Sequence, residues 1–213
     1  MWKKSFALTL GVLLLGGASY VLGWSNLITV QQVTIVGTPH YLQEYVTVGE
    51  KLARIEPRVI ATKYESIDFV KEAKVSRNWL TRKVTIEIIE RTPVAIFNAK
   101  LIDSEGKEFA KPANFTSQLP AIRAPESKSA AIALSLLEQL PNYITSKMEY
   151  ITVESDDSGL LDLKIDNRII QVRWGSIAQS ALKAKVYQAL IALPENSKIH
   201  MVDLSAPHAP IVK

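Results

Sequence analysis

The side chains able to do chemistry are few and scattered in this sequence of 213 residues. There are three histidines, His40, His200 and His208, and there is no cysteine. The absence of cysteine excludes a thiol nucleophile, a disulfide framework and any cysteine-ligated metal site. His200 and Asp203 lie close in the sequence, but two ligands are too few for a metal site. We therefore expect no metal ion.

Sequence motifs of catalysis are also missing. The chain has no glycine-rich phosphate loop, no GxSxG turn and no HExxH helix. The acidic residues are scattered, and no pair of them is favoured as a glycosidase-type site. The net charge is only +4, and Lys and Arg alternate with Asp and Glu, whereas nucleic-acid binders carry a dense basic stripe. We expect no catalytic residue, no cofactor, no small-molecule substrate and no nucleic-acid partner.

The N-terminal segment is apolar. Residues 6–24 are nineteen residues without a charged side chain, and a helix of that length would span roughly 28 Å, close to the hydrocarbon core of a bilayer. Lys3 and Lys4 precede this run and favour a cytoplasmic N-terminus by the positive-inside rule. The pattern predicts a cytoplasmic tail at 1–5, a single transmembrane helix at 6–24 and export of the rest.

A cleaved signal peptide is the alternative interpretation of this segment. Residues 16–18, Gly-Gly-Ala, supply small side chains of the kind that a peptidase recognises. The apolar run continues beyond them to Trp24, so we expect the anchor to be retained.

The part after the anchor begins with a small domain of strands and helices. Hydrophobic periodicity predicts the order β-α-α-β-β, and Pro57 suits the first turn of the second helix. Pro93 interrupts the run after the last strand, so we place a boundary near 91–93 and assign this domain to 25–92. The predicted elements are strand 30–36, helices 41–48 and 57–65, and strands 70–77 and 82–90.

The remainder, 93–213, is predicted to be mostly antiparallel β structure with two helices, so that the fold class is α+β. Apolar positions four residues apart predict one helix at 130–140. Ser176 and Gln179 have the spacing of a capping box, which predicts that a second helix begins there and ends before Pro194. The predicted strands are 94–97, 101–103, 150–154, 160–165, 169–174, 200–204 and 211–213.

Exposed sheet edges are the candidate functional sites, because an edge can bind another chain by adding a strand. In strand 70–77 the alternation places Lys74 and Ser76 on the solvated face. The segment 202–213 has no Asp, Glu, Lys or Arg between Leu204 and Val212, whereas edge strands usually carry protective charges. The predicted partner-binding residues are Lys74, Val75, Ser76, Val202, Asp203, Leu204, Ser205, Ala206, Ile211 and Val212.

The order of several short motifs resembles the FtsQ/DivIB family of cell-division proteins, and among them the proteobacterial FtsQ proteins. VSRNW at 75–79 is similar to the family's V-x-R-x-W-P hairpin, ERTPVA at 90–95 to its E-R-x-P-V-A boundary, and LIDSEGKEF at 101–109 to its L-I-D-x-x-G-x-x-F turn. Leu80 replaces the proline of the hairpin motif. Ser205 and Ala206 stand where proteobacterial members often carry a basic and an aromatic residue that touch the partner FtsB.

The resemblance implies an inner-membrane protein with a POTRA domain at 25–92 and an FtsQ-type β domain at 93–213. It implies a single-pass type II topology, with the N-terminus in the cytoplasm and the bulk in the periplasm, at the division septum. The implied function is that of a non-catalytic divisome scaffold. It would bind FtsB and FtsL and link early to late division proteins, including FtsK, FtsW, FtsI and FtsN.

Two other functional classes stay open at this point. A membrane-anchored hydrolase of the cell wall would need a catalytic constellation, and the motifs above supply none. A POTRA-containing protein of secretion or outer-membrane assembly is the other alternative, and the single N-terminal anchor disfavours it.

Overall fold

The structure, a computed structural model, describes residues 2–23, 28–112, 115–154 and 158–213. The chain divides into two compact units, residues 1–91 and residues 92–213. Each unit has its own hydrophobic core and its own sheet. The candidate sites can therefore be placed on each unit separately.

The first helix, α1 (Trp2–Gly23), is 22 residues long. Within the part of the chain that the structure describes, no helix is both long enough and apolar enough to cross a membrane. This finding contradicts the predicted transmembrane helix at 6–24, which also extends to Trp24, outside the described residues.

The sheet of the first unit has three strands in the order β1-β3-β2. Strand β1 (Gln32–Val36) pairs in parallel with β3 (Lys83–Glu90), and β2 (Val70–Asn78) pairs antiparallel with β3 along its whole length. Helix α2 (Pro57–Glu65) begins at the predicted proline and buries Ile60, Ala61 and Tyr64. A 3-10 turn, Leu52–Arg54, precedes it. Because β3 occupies the centre, β2 is an edge strand.

The predicted helix at 41–48 is wrong, since the segment forms bends and turns without a regular element. Leu42 and Val46 are buried, with exposures of 7% and 0%, but an irregular backbone brings them into the core. The hydroxyl of Tyr64 donates a hydrogen bond of 3.0 Å to the carbonyl of Gln43 and holds this path. Two apolar residues four positions apart are thus buried by tertiary contacts without a helix. The observed order therefore has one helix fewer than the predicted β-α-α-β-β.

The second unit contains nine strands, three α-helices and one 3-10 turn, Pro194–Asn196, among the residues described. The helices are α3 (Ser127–Gln139), the short α4 (Asn142–Thr145) and α5 (Ser180–Ile191). The strands are β4 (Pro93–Phe97), β5 (Lys100–Asp103), β6 (Glu108–Phe109), β7 (Ala121–Arg123), β8 (Met148–Val153), β9 (Gly159–Ile165), β10 (Arg168–Gly175), β11 (Met201–Asp203) and β12 (Ile211–Val212).

These nine strands form one sheet in the order β12-β11-β10-β9-β8-β7-β4-β5-β6. Three of the pairings are parallel, β4 with β7, β7 with β8 and β10 with β11, and the other five are antiparallel. The sheet is therefore mixed, and the α+β assignment is corrected to mixed α/β structure. Helices α3 and α4 connect β7 to β8 and helix α5 connects β10 to β11, because parallel strands cannot be joined by a hairpin, whereas β5 and β6 lie between β4 and β7 in the chain.

One face of this sheet carries the core of the second unit. Along β10, Ile170, Val172 and Trp174 are buried while Gln171 and Arg173 are half-exposed, as the period of two requires. Helices α3 and α5 contribute to the same cluster. The opposite face is the more polar one, and β12 closes the sheet at one edge.

Candidate functional site

The edge strand β2 presents side chains of mixed charge to solvent. Lys74 and Ser76 are exposed, Val75 is half-buried and Ala73 is buried, so that burial alternates along the strand as the sequence predicts. The ammonium nitrogen of Lys74 lies 3.8 Å from a carboxylate oxygen of Glu72. The partner of β2 on its inner side is β3, and no further strand of this sheet lies beyond it among the residues described. This edge therefore presents charged side chains, and the outer backbone groups of β2 have no partner strand in the described part of the chain.

The edge strand β12 is short and differs in character. It pairs antiparallel with β11, with Val202 opposite Val212 and Asp203 opposite Ile211. No Asp, Glu, Lys or Arg lies between Leu204 and Val212. Ile211 is 55% exposed and Val212 is 36% exposed. This edge thus offers apolar side chains and backbone.

The direction of the backbone groups in β12 follows from the hydrogen bonds of Lys213. The Lys213 N–H donates to the Met201 carbonyl at 3.0 Å, and the Met201 N–H donates to the Lys213 carbonyl at 3.1 Å. In an antiparallel pair the residues that exchange both bonds alternate with residues whose N–H and C=O point away. The N–H and C=O of Val212 therefore point outward, while those of Ile211 point toward β11.

The remaining predicted residues of the C-terminal segment fall into two groups. Val202 and Leu204 are fully buried, so their side chains belong to the core and cannot touch a partner directly. Ser205 and Ala206 are exposed in the connection between β11 and β12. A carboxylate oxygen of Asp203 accepts a hydrogen bond of 2.9 Å from the Ser205 N–H, which fixes the start of that connection.

Sequence reasoning missed a buried lysine in the second unit. Lys183, on α5, is 2% exposed, and its ammonium donates hydrogen bonds of 2.8 Å to the carbonyls of Trp174 and Ser176. Burial lowers the pKa of Lys183. The spacing of Ser180, Lys183 and Tyr187 along α5 is a signal that the lysine lies on the buried face. Its hydrogen bonds join α5 to the end of β10 and to the turn that follows it, so the role of Lys183 is structural.

The predicted capping box of Ser176 and Gln179 is wrong, because the helix begins later and a different side chain makes the local hydrogen bonds. Helix α5 begins at Ser180, after Gln179, which has a left-handed φ of 60°. The hydroxyl of Ser180 donates to the Ile177 carbonyl at 2.7 Å and accepts from the Trp174 indole N–H at 3.2 Å. Residues 176–179 are therefore a turn between strand and helix.

Tyr187 is the other buried polar group on α5. Its hydroxyl has no hydrogen-bond partner among the described residues. Burial, with a smaller contribution from the neighbouring Tyr143, raises the pKa of Tyr187 to about 12. The neutral phenol is thus the form that the core holds.

The described residues contain no group of three or more His, Cys, Asp or Glu that could hold a metal ion. A cleft of about 760 Å³ lies in the second unit, between α3 and the loop 118–120. Its charged lining residues are Glu105 and Glu138. Among its lining residues, the hydroxyl of Ser135 donates to the Ala131 carbonyl at 3.1 Å, a bond within the helix. The two strand edges are taken as the candidate functional surfaces.

Comparisons with known proteins give one family. Residues 95–205 match the model described as "Cell division protein FtsQ/DivIB, C-terminal". The match includes β11 and ends before β12. No curated protein matches the chain.

Among solved structures, the chain is similar to the major extracytoplasmic domain of the trans isomer of the bacterial cell division protein DivIB from Geobacillus stearothermophilus. The identity is 18% and the TM-score is 0.34. The aligned region covers 50% of this chain and 95% of that one.

Proposed function

The chain belongs to the FtsQ/DivIB family of cell-division proteins, whose model matches more than half of it, and from this premise we propose that it is a non-catalytic divisome scaffold at the division septum. The scaffold binds FtsB, together with FtsL, through the edge strand β12 and thereby links early to late division proteins. The family assignment supports the role in division. The geometry of β12 supports the mode of binding.

The observation that carries the proposal is the outward pair of backbone groups on Val212. An incoming strand would exchange two hydrogen bonds with this N–H and C=O and extend the sheet beyond β12. Each such bond stabilises a complex by about 1 kcal/mol net. The connection that leads into β12, residues 205–211, carries no Asp, Glu, Lys or Arg, and Lys213 is the charged residue beside Val212.

The chemistry of the incoming strand follows from the register of β12. Val212 lies opposite Val202, whose side chain is in the core. A partner residue placed opposite Val212 would lie on the same face and would favour an apolar side chain. The residues on either side of it would lie on the polar face, in the row of Asp203 and Ile211. The partner segment is therefore a short strand with an apolar residue at its centre.

The direct test compares two substitutions at position 212 in the full chain. Val212→Pro removes the outward N–H, whereas Val212→Thr keeps it and keeps a β-branched side chain. We expect Val212→Pro to weaken binding to FtsB–FtsL about tenfold, since roughly 1.4 kcal/mol corresponds to a factor of ten. Val212→Thr should bind within about twofold of the parent chain. Equal affinities for the proline and threonine variants would refute strand addition at β12.

We also propose that Lys74, Val75 and Ser76 form a side-chain surface of the first unit that recruits the protein or its neighbours to the septum. The strand is an exposed edge, and Lys74 and Ser76 are its outward residues in the middle of β2. The divisome proteins that act before and after this one, FtsK on one side and FtsW, FtsI and FtsN on the other, are the partners to be tested.

The test of this surface is septal localisation of a fluorescent fusion of the full chain. Lys74→Glu combined with Ser76→Glu should reduce localisation, while Lys185→Glu, an exposed charge reversal on α5, should not. Lys74 is paired across the sheet with Glu87, so the unfolding temperature is measured in parallel. Normal localisation of a folded double variant would rule out this surface.

A further inference from the structure

The loop between β2 and β3 holds two apolar side chains out into solvent. Leu80 is 95% exposed and Trp79 is 42% exposed. The side-chain oxygen of Asn78 accepts hydrogen bonds of 3.0 Å from the N–H groups of both Leu80 and Thr81. Arg82 closes the loop with a left-handed φ of 53°. These bonds hold the loop in one conformation, and in that conformation its two apolar side chains are exposed.

Cations surround this loop. The guanidinium of Arg77 lies 5.4 Å from the ring centre of Trp79 and donates a hydrogen bond of 2.7 Å to the carbonyl of Ile55. The N–H of Gln31 donates to the carbonyl of Arg82 at 2.8 Å, which ties the loop to the strand β1. Segments 50–56 and 77–83 together carry five basic residues against two acidic ones. They are Lys51, Arg54, Arg77, Arg82 and Lys83 against Glu50 and Glu56.

From this arrangement we propose that the β2–β3 loop, residues 79–82, inserts Trp79 and Leu80 into the interface of an anionic lipid membrane. Tryptophan favours the headgroup level of a bilayer because its ring is apolar and its N–H is polar. Basic residues next to an inserted apolar group are attracted to anionic headgroups. The site belongs to the first unit and is independent of strand addition at β12.

Two further observations favour a lipid surface over a protein partner. A stable protein interface buries about 800 Å² on each partner, and two side chains at a loop tip supply far less. In addition, helix α1 contacts the 3-10 turn Leu52–Arg54, which Arg77 joins to the loop by a hydrogen bond of 3.3 Å to the Leu52 carbonyl. Several described side chains of α1 are apolar and exposed, among them Leu13, Leu14 and Leu15. Helix α1 and the guanidinium of Arg77 therefore contact the same turn of this unit.

The experiment uses the absence of cysteine in the chain. Leu80→Cys in the full chain is labelled with an environment-sensitive fluorophore, and Asp68→Cys carries the same label as a matched control. Residue 68 is exposed between α2 and β2, whereas Val70, two residues on, pairs with Glu90 at the other end of the β2–β3 ladder. The chain is mixed with vesicles of phosphatidylglycerol and phosphatidylcholine whose acyl chains are brominated.

We expect the label at position 80 to shift to the blue and to lose emission by bromine quenching, while the label at position 68 does neither. Vesicles of phosphatidylcholine alone, or about 1 M salt, where the Debye length is about 3 Å, should reduce the quenching. A label at position 80 that stays in water overturns the proposal, and it is the result expected if the loop binds a protein. Equal quenching at both positions overturns it too. Equal quenching on neutral and anionic vesicles would overturn the role of the cations.

Discussion

The two edge strands β2 and β12 differ in length and in charge. Strand β2 is nine residues long and carries exposed Lys and Glu side chains along its edge, as natural edges do to prevent unwanted pairing. Strand β12 has two residues, and the connection before it, residues 205–211, carries no Asp, Glu, Lys or Arg; Lys213 follows the strand. The contrast indicates that a partner recognises β2 through its side chains and β12 through its backbone groups. An edge that lacks protection is the better candidate for strand addition.

The largest expected effect is a loss of stability that is confined to the first unit. Gly37 has a φ of 88°, and a Cβ there would lie 2.1 Å from the carbonyl oxygen of Ile88 in β3. Gly37→Ala should therefore destabilise the three-stranded sheet by about 3 kcal/mol. Hydrogen exchange of the β2 and β3 amides would measure this loss.

The Gly37→Ala variant also tests whether FtsB–FtsL binding depends on the first unit. If β12 is the site for FtsB–FtsL, binding should persist in Gly37→Ala while the β2 amides lose protection. A loss of FtsB–FtsL affinity in step with the unfolding of the first unit would contradict the assignment of that site to β12.

A charge on the unprotected edge should have the next largest effect. Ile211 lies opposite Asp203, so a lysine at this position can be accommodated in the strand. Ile211→Lys should weaken FtsB–FtsL binding severalfold, less than Val212→Pro, because it adds an unfavourable edge charge without removing the outward N–H. Titration of the labelled partner would measure the two dissociation constants. A Lys variant that binds as tightly as the parent would show that edge charge is irrelevant here.

The reciprocal change removes charges from the protected edge. Glu72 and Lys74 are exposed on β2 and lie close enough to form an ion pair. Replacing both with threonine, a good strand former, should let β2 pair with β2 of a second copy at high concentration. Analytical ultracentrifugation of the double variant would detect such dimers. A chain that stays monomeric at every concentration would contradict the protective role of these charges.

The smallest effect is expected at Tyr187, in the core of the second unit. Because the folded-state pKa is raised to about 12 from 10.0, this group stabilises the fold below pH 10, and that stability is lost as the pH rises from 10 to 12. Tyr187→Phe removes the unpartnered hydroxyl. It should change stability at neutral pH by less than about 1 kcal/mol and should flatten the alkaline loss relative to the parent. Parallel denaturant titrations at neutral and alkaline pH would show this, and an unchanged alkaline loss would contradict it.

Sequence patterns located most strands but not their partners. Strands β2, β3, β9 and β10 lie within one or two residues of their predicted positions, because alternation reports one buried face directly. The parallel pairing of β1 with β3, and of β7 with its two neighbours, depends on contacts between distant segments that alternation does not encode. The hydrophobic periodicity of 41–48 also does not distinguish a helix from an irregular segment whose apolar side chains enter the core.

The candidate site was predictable in part. The absence of charge between Leu204 and Val212 is visible in the sequence, whereas the outward direction of the Val212 N–H depends on the register with β11. Val202 and Leu204 were predicted to bind a partner, but their side chains are buried, so any contribution they make is indirect. A lysine such as Lys183 contradicts the usual rule that charges lie outside, which is why it was missed.

Amide hydrogen exchange at residues 211–213, with and without FtsB–FtsL, tests the central claim most directly. In the free chain the Lys213 N–H is bonded to Met201 and should be protected, whereas the outward N–H of Val212 should exchange rapidly. We predict that addition of the partner slows exchange at Val212 strongly and changes Lys213 little. An amide at Val212 that exchanges at the same rate in the complex would contradict strand addition at β12.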